Sequence, residues 1–180
     1  MDNIIALMNE HRFEEALQEI SLLKENNPNT MLFMIESAAN MELGRFDSAE
    51  TSALTAFRMQ PCIENYNLLI NIYIRTGRHS EALRLNDESI KRFEQADNYR
   101  IKTQLLTYLK RPKDAIDNIH KTIRLEPNDS IHYFDLASCY SLLNDYRNAL
   151  KYIDIAISMS PTPDYYRLKS MVTQILMKQS

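Results

Sequence analysis

The sequence predicts an all-α fold, a solenoid of about five helix-turn-helix repeats followed by a C-terminal capping helix. Three observations carry this. Alanines at 16, 49, 82, 115 and 149 are separated by 33, 33, 33 and 34 residues. Twelve residues after four of them stands a proline, Pro28, Pro61, Pro127 and Pro161, with Glu94 in the remaining slot. Only two glycines occur in 180 residues, which suits helices and disfavours sheets rich in tight turns. A period near 34 made of two helices describes stacked hairpins, each burying its apolar faces against its neighbours.

Taken in order, residues 1–29 form a shortened first repeat. Ile4, Ile5, Leu7 and Met8 carry its first helix. Phe13, Ala16, Leu17, Ile20 and Leu23 lie on one face of the second. Repeat two spans 30–62 and has an alanine surface of Ala49, Ala53 and Ala56, with Glu36 and Asn40 standing where apolar residues are expected. Those two require a local rotation of the helix or hydrogen-bonding partners. Repeat three, 63–95, places Tyr66, Leu69, Ile70 and Tyr73 on a core face. It ends without a proline, so a break is expected near Ala96–Asn98, with Asp97 or Asn98 as N-cap. Repeat four, 96–129, has Pro112 in its turn and a second helix carrying Ala115, Ile116, Ile119, Ile123 and Leu125.

Repeat five, 130–163, is the clearest. Two helical patterns, Ile131–Leu143 and Tyr146–Met159, flank a polar turn at Asn144 and Asp145. Ala137 and Ala149 mark their closest approach, with Tyr140 and Tyr146 filling around them. A last helix over 164–178 opens with Thr162 as N-cap and Pro163 at the first helical position, where a missing N–H costs nothing. The whole chain, 1–180, reads as a single domain.

The turns and second helices resemble those of tetratricopeptide repeat proteins. The residues concerned are Gly44, Phe46 and Ala49 in GRFDSA, Gly77 and Ala82 in GRHSEA, and Tyr146 and Ala149 in NDYRNA. The resemblance covers nearly all of the chain and implies a right-handed superhelical solenoid. It also implies a non-enzymatic scaffold that binds a partner peptide or helix on the concave wall formed by the first helix of each repeat.

Composition narrows the classes. Hydrophobic residues make up 44% and charged residues 25%, enough for a packed core. Net charge is −3 with acids and bases interleaved, which argues against nucleic acid as partner. No apolar run approaches a membrane span, and MDNIIALMNEHR has no basic segment ahead of its apolar one, so a cytoplasmic protein is expected. Cys62 and Cys139 are too few for a disulfide framework.

No catalytic set, metal site or cofactor motif is expected. His11, His79, His120 and His132 are scattered, and Gly44 and Gly77 belong to turns, not to a phosphate loop. Ser138 and Cys139 have no consistent base beside them. The candidate site is therefore the groove. Positions three or four apart and off the packed face give Met31, Met34, Ala38 and Met41, then Asn67, Asn71, Ile74 and Arg75. Arg100, Gln104 and Tyr108 follow in repeat four, and Phe134 and Ser138 in repeat five, while Ile5 and Met8 extend the methionine end. Arg75 and Arg100 suggest an acidic or phosphorylated stretch beside an apolar anchor in the partner. The resembled family's carboxylate clamp does not map, because Asn67 stands where lysine is needed and Asp135 would repel the carboxylate. Two alternatives stay open: a secretion-type chaperone for an aggregation-prone client, and a structural protein that self-associates through its solenoid ends.

Overall fold

The computed structural model describes residues 1–179, and among these are eleven α-helices and no strand. They pair as α1 (Asp2–Asn9) with α2 (Phe13–Asn26), α3 (Thr30–Glu42) with α4 (Phe46–Met59), and α5 (Ile63–Arg75) with α6 (His79–Phe93). The series continues with α7 (Ala96–Tyr108) and α8 (Pro112–Leu125), α9 (Ser130–Leu142) and α10 (Tyr146–Met159), and ends at α11 (Pro163–Gln179). From α3 onward the odd-numbered helices begin 33, 33, 34 and 33 residues apart.

The turn within each hairpin is one backbone device used five times. His11, Gly44, Gly77, Lys110 and Asn144 all have positive φ, between 56° and 76°. A residue in this left-handed conformation lets the chain double back and satisfy the last carbonyls of the first helix. The following N–H groups do so: Arg12 to Leu7 O, Arg45 to Asn40 O, Arg78 to Tyr73 O, Arg111 to Leu106 O and Asp145 to Tyr140 O, at 2.7–2.9 Å. Glycine adopts this conformation freely. At Gly44 and Gly77 a Cβ would meet nothing within 4 Å, so only backbone preference selects glycine there.

The chain divides into two compact units, Met1–Ser89 and Ile90–Ser180, with the boundary inside α6. In the first, Ile4, Leu7, Ala16, Ile20 and Leu32 form one buried cluster, and Met41, Ala49, Ala53, Leu69 and Ile72 a second that Leu85 of α6 joins. In the other, Ala137, Ile153, Ala156 and Tyr165 are packed with Phe134, Leu150, Tyr152 and Leu168. Each fully buried Ile or Leu contributes about 1.5–3 kcal/mol. The periodic alanines 16, 49, 82, 115 and 149 are all at most 1% exposed, so paired helices approach with no larger side chain between them.

Several polar groups in these interfaces are bonded across them. Ser37 Oγ donates to Ala49 O (2.8 Å), Asn65 Nδ2 to Gln60 O (2.7 Å), and Asn118 Nδ2 to Thr103 Oγ1 (2.7 Å). Glu36 and Asn40 keep their helix in register by finding partners. Lys24 Nζ donates to both Glu36 oxygens at 2.8 Å, Ser52 Oγ donates to Glu36 Oε2 at 2.8 Å, and Asn40 Nδ2 bonds Glu36 O at 2.9 Å.

Several expectations are corrected. The break after repeat three lies at Glu94 and Gln95, because Glu94 takes a positive φ and Gln95 becomes the N-cap. Asp97 and Asn98 are therefore inside α7, with Asn98 fully buried. Leu23 and Leu125 sit in last turns that run past the packed face and are 39% and 47% exposed. Tyr140 stacks on Tyr152, with centroids 5.4 Å apart, whereas Tyr146 bonds Asn144 Oδ1 at 2.6 Å. The Thr162 backbone carbonyl accepts from Tyr166 N at 3.4 Å, but its hydroxyl has no partner among the described residues.

Candidate functional site: an apolar groove on the first helices

In the first unit, three odd-numbered helices each present a short stripe to one groove of about 550 Å³. Helix α1 gives Ile5 and Met8, α3 gives Met31, Met34, Ile35 and Ala38, and α5 gives Glu64, Asn67, Leu68 and Asn71. Within α3 and α5 these residues follow the spacing i, i+3, i+4, i+7 that keeps side chains on one helical face. The second helices supply none of them. Their alanine faces pull each hairpin together from the other side, which leaves the first-helix stripes uncovered.

The floor is hydrocarbon and thioether, with Ile5 and Met31 42% and 48% exposed. One edge is polar. Asn67 and Asn71 bring amides that both donate and accept, and the Asn67 Oδ1 has no hydrogen-bond partner among the described residues. Unbranched methionines adapt to partners of varied shape, so the surface suits an apolar segment without dictating its outline.

The groove gathers Met31, Met34, Asn67 and Asn71 from the candidate residues, together with Ile5, Met8 and Ala38. Ile35, Leu68 and Glu64 belong to it as well and were missed in the sequence. The available signal was helical spacing: Ile35 stands four residues after Met31, Leu68 three before Asn71, and Glu64 three before Asn67.

Other candidates lie elsewhere. Met41 is 4% exposed and packed against Ala49, Ala53, Leu69 and Ile72, so it belongs to the core. Ile74 is half-buried and outside the groove lining. Arg75 reaches Glu42 at 3.3 Å and lies over the Phe46 ring at 5.4 Å, which commits its charge within the unit.

Arg100, Gln104, Tyr108, Phe134 and Ser138 all lie in the other unit. Arg100 Nη2 is paired with Asp97 at 2.7 Å, and Gln104 and Tyr108 are exposed. The Phe134 ring stacks on Tyr165 of α11 at 4.8 Å, so α11 occupies the face this residue was expected to offer. Ser138 Oγ donates back to Phe134 O at 2.9 Å. Burial pushes the Cys139 thiol up to about 11, opposed by a hydrogen bond to Thr107, so it is protonated and poorly nucleophilic near neutral pH.

Residues 7–177 match the model of the family ChAPs, the Chs5p-Arf1p-binding proteins. The chain belongs to this family. No curated protein sequence matches this ChAPs member. Among solved structures it is similar to a tetratricopeptide repeat protein from Parabacteroides merdae, at 14% identity and a TM-score of 0.86, over 98% of this chain and 72% of that one. It is also similar to MamA, at 18% identity and 0.77, covering 88% and 95%. YrrB, described as a TPR protein with an unusual peptide-binding site, matches at 16% and 0.68 over 87% and 82%. At these identities the likeness concerns the fold. The ChAPs chain thus has the tetratricopeptide repeat fold. Among the described residues no helix is long and apolar enough to cross a membrane.

Proposed function

We propose that this protein is a non-enzymatic scaffold that holds an apolar segment of another protein, extended or helical, in the groove of its first unit. The observation that supports this most directly is the convergence of three first-helix stripes on a methionine-rich concavity bordered by Asn67 and Asn71. Anchoring would come from burying the partner's apolar side chains on Met8, Met31 and Met34, with the two amides meeting its backbone. The family description points the same way, since it names other proteins as the ligands of its members. Because Arg75 and Arg100 are each paired with an acid, the groove selects by apolar fit and amide bonding, not by an acidic or phosphorylated stretch.

The test is crosslinked capture of a partner, followed by titration of that partner against Met34→Glu and Asn71→Ala. Met34 is half-buried and Asn71 exposed, so neither change removes a core contact. A carboxylate at position 34 should abolish binding and Asn71→Ala should weaken it, both with unchanged circular dichroism. Parental affinity in both variants would place the partner on another face.

A further inference from the structure

In the second unit, a separate group of side chains gathers where α8 hands over to α9. Glu126 is the residue after α8, Asp129 is the N-cap of α9, and His132 lies in the first turn of that helix. Their ligand atoms all lie within 4.8 Å of one another. His132 Nε2 is 3.4 Å from Glu126 Oε2 and 3.9 Å from Asp129 Oδ2.

We propose that Glu126, Asp129 and His132 form a binding site for a divalent transition cation of the zinc type. Carboxylates clustered at a helix end are commonplace, and what distinguishes this group is the imidazole. His132 is 2% exposed, its Nε2 has no hydrogen-bond partner among the described residues, and the atoms it faces are carboxylate oxygens. An imidazole nitrogen turned towards carboxylate oxygens without a hydrogen bond to them is an arrangement that a shared cation resolves.

The distances suit that ion. Zinc bonds of about 2.0–2.1 Å in a tetrahedron set ligand atoms roughly 3.3 Å apart. Of the two separations from the imidazole, one already has that length and the other is slightly long. The imidazole is fixed by burial, while the Glu126 side chain is 51% exposed and that of Asp129 33%, so the two carboxylates can close on the metal. Asp129 divides its oxygens: Oδ1 accepts from Ile131 N at 2.9 Å and caps α9, leaving Oδ2 for the cation. The C-terminal pole of α8 favours a cation and the N-terminal pole of α9 opposes it, so the ligands' own two negative charges decide the balance. Arg100, on the same pocket wall, turns its charge to Asp97. The pocket, about 580 Å³, leaves the fourth coordination position to water. A cation held there would tie the α8–α9 loop to the first turn of α9.

The experiment uses the full chain stripped with a chelator and titrated with zinc chloride near neutral pH, by calorimetry and by thermal unfolding. One equivalent should bind and raise the unfolding midpoint, and cobalt(II) should give the visible absorption of a low-coordinate site. Glu126→Gln changes an exposed side chain, and Asp129→Asn keeps an equally good N-cap. Each should weaken zinc binding at least tenfold while the circular dichroism of the metal-free chain stays the same. Failure of the parent to bind zinc would overturn the proposal. So would parental affinity in both variants, which would place the metal on His11, His79, His120 or a cysteine.

Discussion

Replacing Asp135 with Asn should stabilise the protein at neutral pH and leave it unchanged in acid. Asp135 lies on α9, and burial pushes its carboxyl up from 3.8 to about 6. Asp129 adds to the effect, while His132 and Arg100 oppose it. The folded chain keeps this proton up to about pH 6, whereas the unfolded chain releases it near 3.8. Stability therefore falls as pH rises between those values, and the full loss persists above the upper one. At about 1.4 kcal/mol per unit of pH, the gap amounts to roughly 3 kcal/mol. Asn has nearly the same shape and cannot ionise, so it should recover most of that. With a urea dependence of about 1–3 kcal/mol per molar, the midpoint should rise by about 1 M or more at pH 7. The assay is urea unfolding of parent and variant from pH 3.5 to 8, with a chelator present throughout. Acids with lowered values, such as Glu15 and Asp145, titrate alike in both proteins and cancel in the difference. A variant less stable at pH 7, or an advantage that does not shrink below pH 5, would refute the reasoning.

Gly77→Ala should cost about 1 kcal/mol, because the left-handed conformation penalises a Cβ even though none of its neighbours would be struck. Lys110→Gly should relieve the same penalty one repeat later, and urea midpoints of the two variants should move in opposite directions. Ala149→Leu should destabilise by about 1–3 kcal/mol through overpacking between α9 and α10. An unchanged midpoint would show that this contact is looser than its 1% exposure indicates. A chain ending at Thr162 loses Tyr165 and Leu168 from the cluster around Ala137 and Ile153. It should melt at lower temperature and aggregate, as seen by light scattering.

Periodicity made the hairpins visible in the sequence, since alanine spacing is a direct record of where two helices touch. Boundaries that depend on backbone conformation were harder. Glu94 in a left-handed turn has no residue signature, so the start of α7 was placed too late. In the candidate site, stripes on single helices were legible: the tetratricopeptide resemblance pointed to the first helices, and spacing picked Met31, Met34, Asn67 and Asn71 on them. Whether a stripe is covered depends on the neighbouring helix, which spacing cannot reveal. Met41 and Phe134 were assigned to the groove for that reason, although one is core and the other lies under α11. The group at Glu126, Asp129 and His132 escaped because histidines were weighed against other histidines and cysteines, not against carboxylates in a preceding loop.

The even rhythm of 33 residues slips once, and where it slips matters. All five turns inside hairpins hold three residues, as do most loops between hairpins, but the loop from α8 to α9 holds four, Glu126 to Asp129. An added residue inside a hairpin turn would break the bonds around its left-handed position. It would also displace the start of the next helix and carry its alanine away from the contact. Between hairpins no such bonded turn is at stake, so length can drift there without disturbing packing. Inserted residues are therefore tolerated in the inter-hairpin loops, and these are the places where a repeat protein can gain side chains of its own without rewriting the repeat.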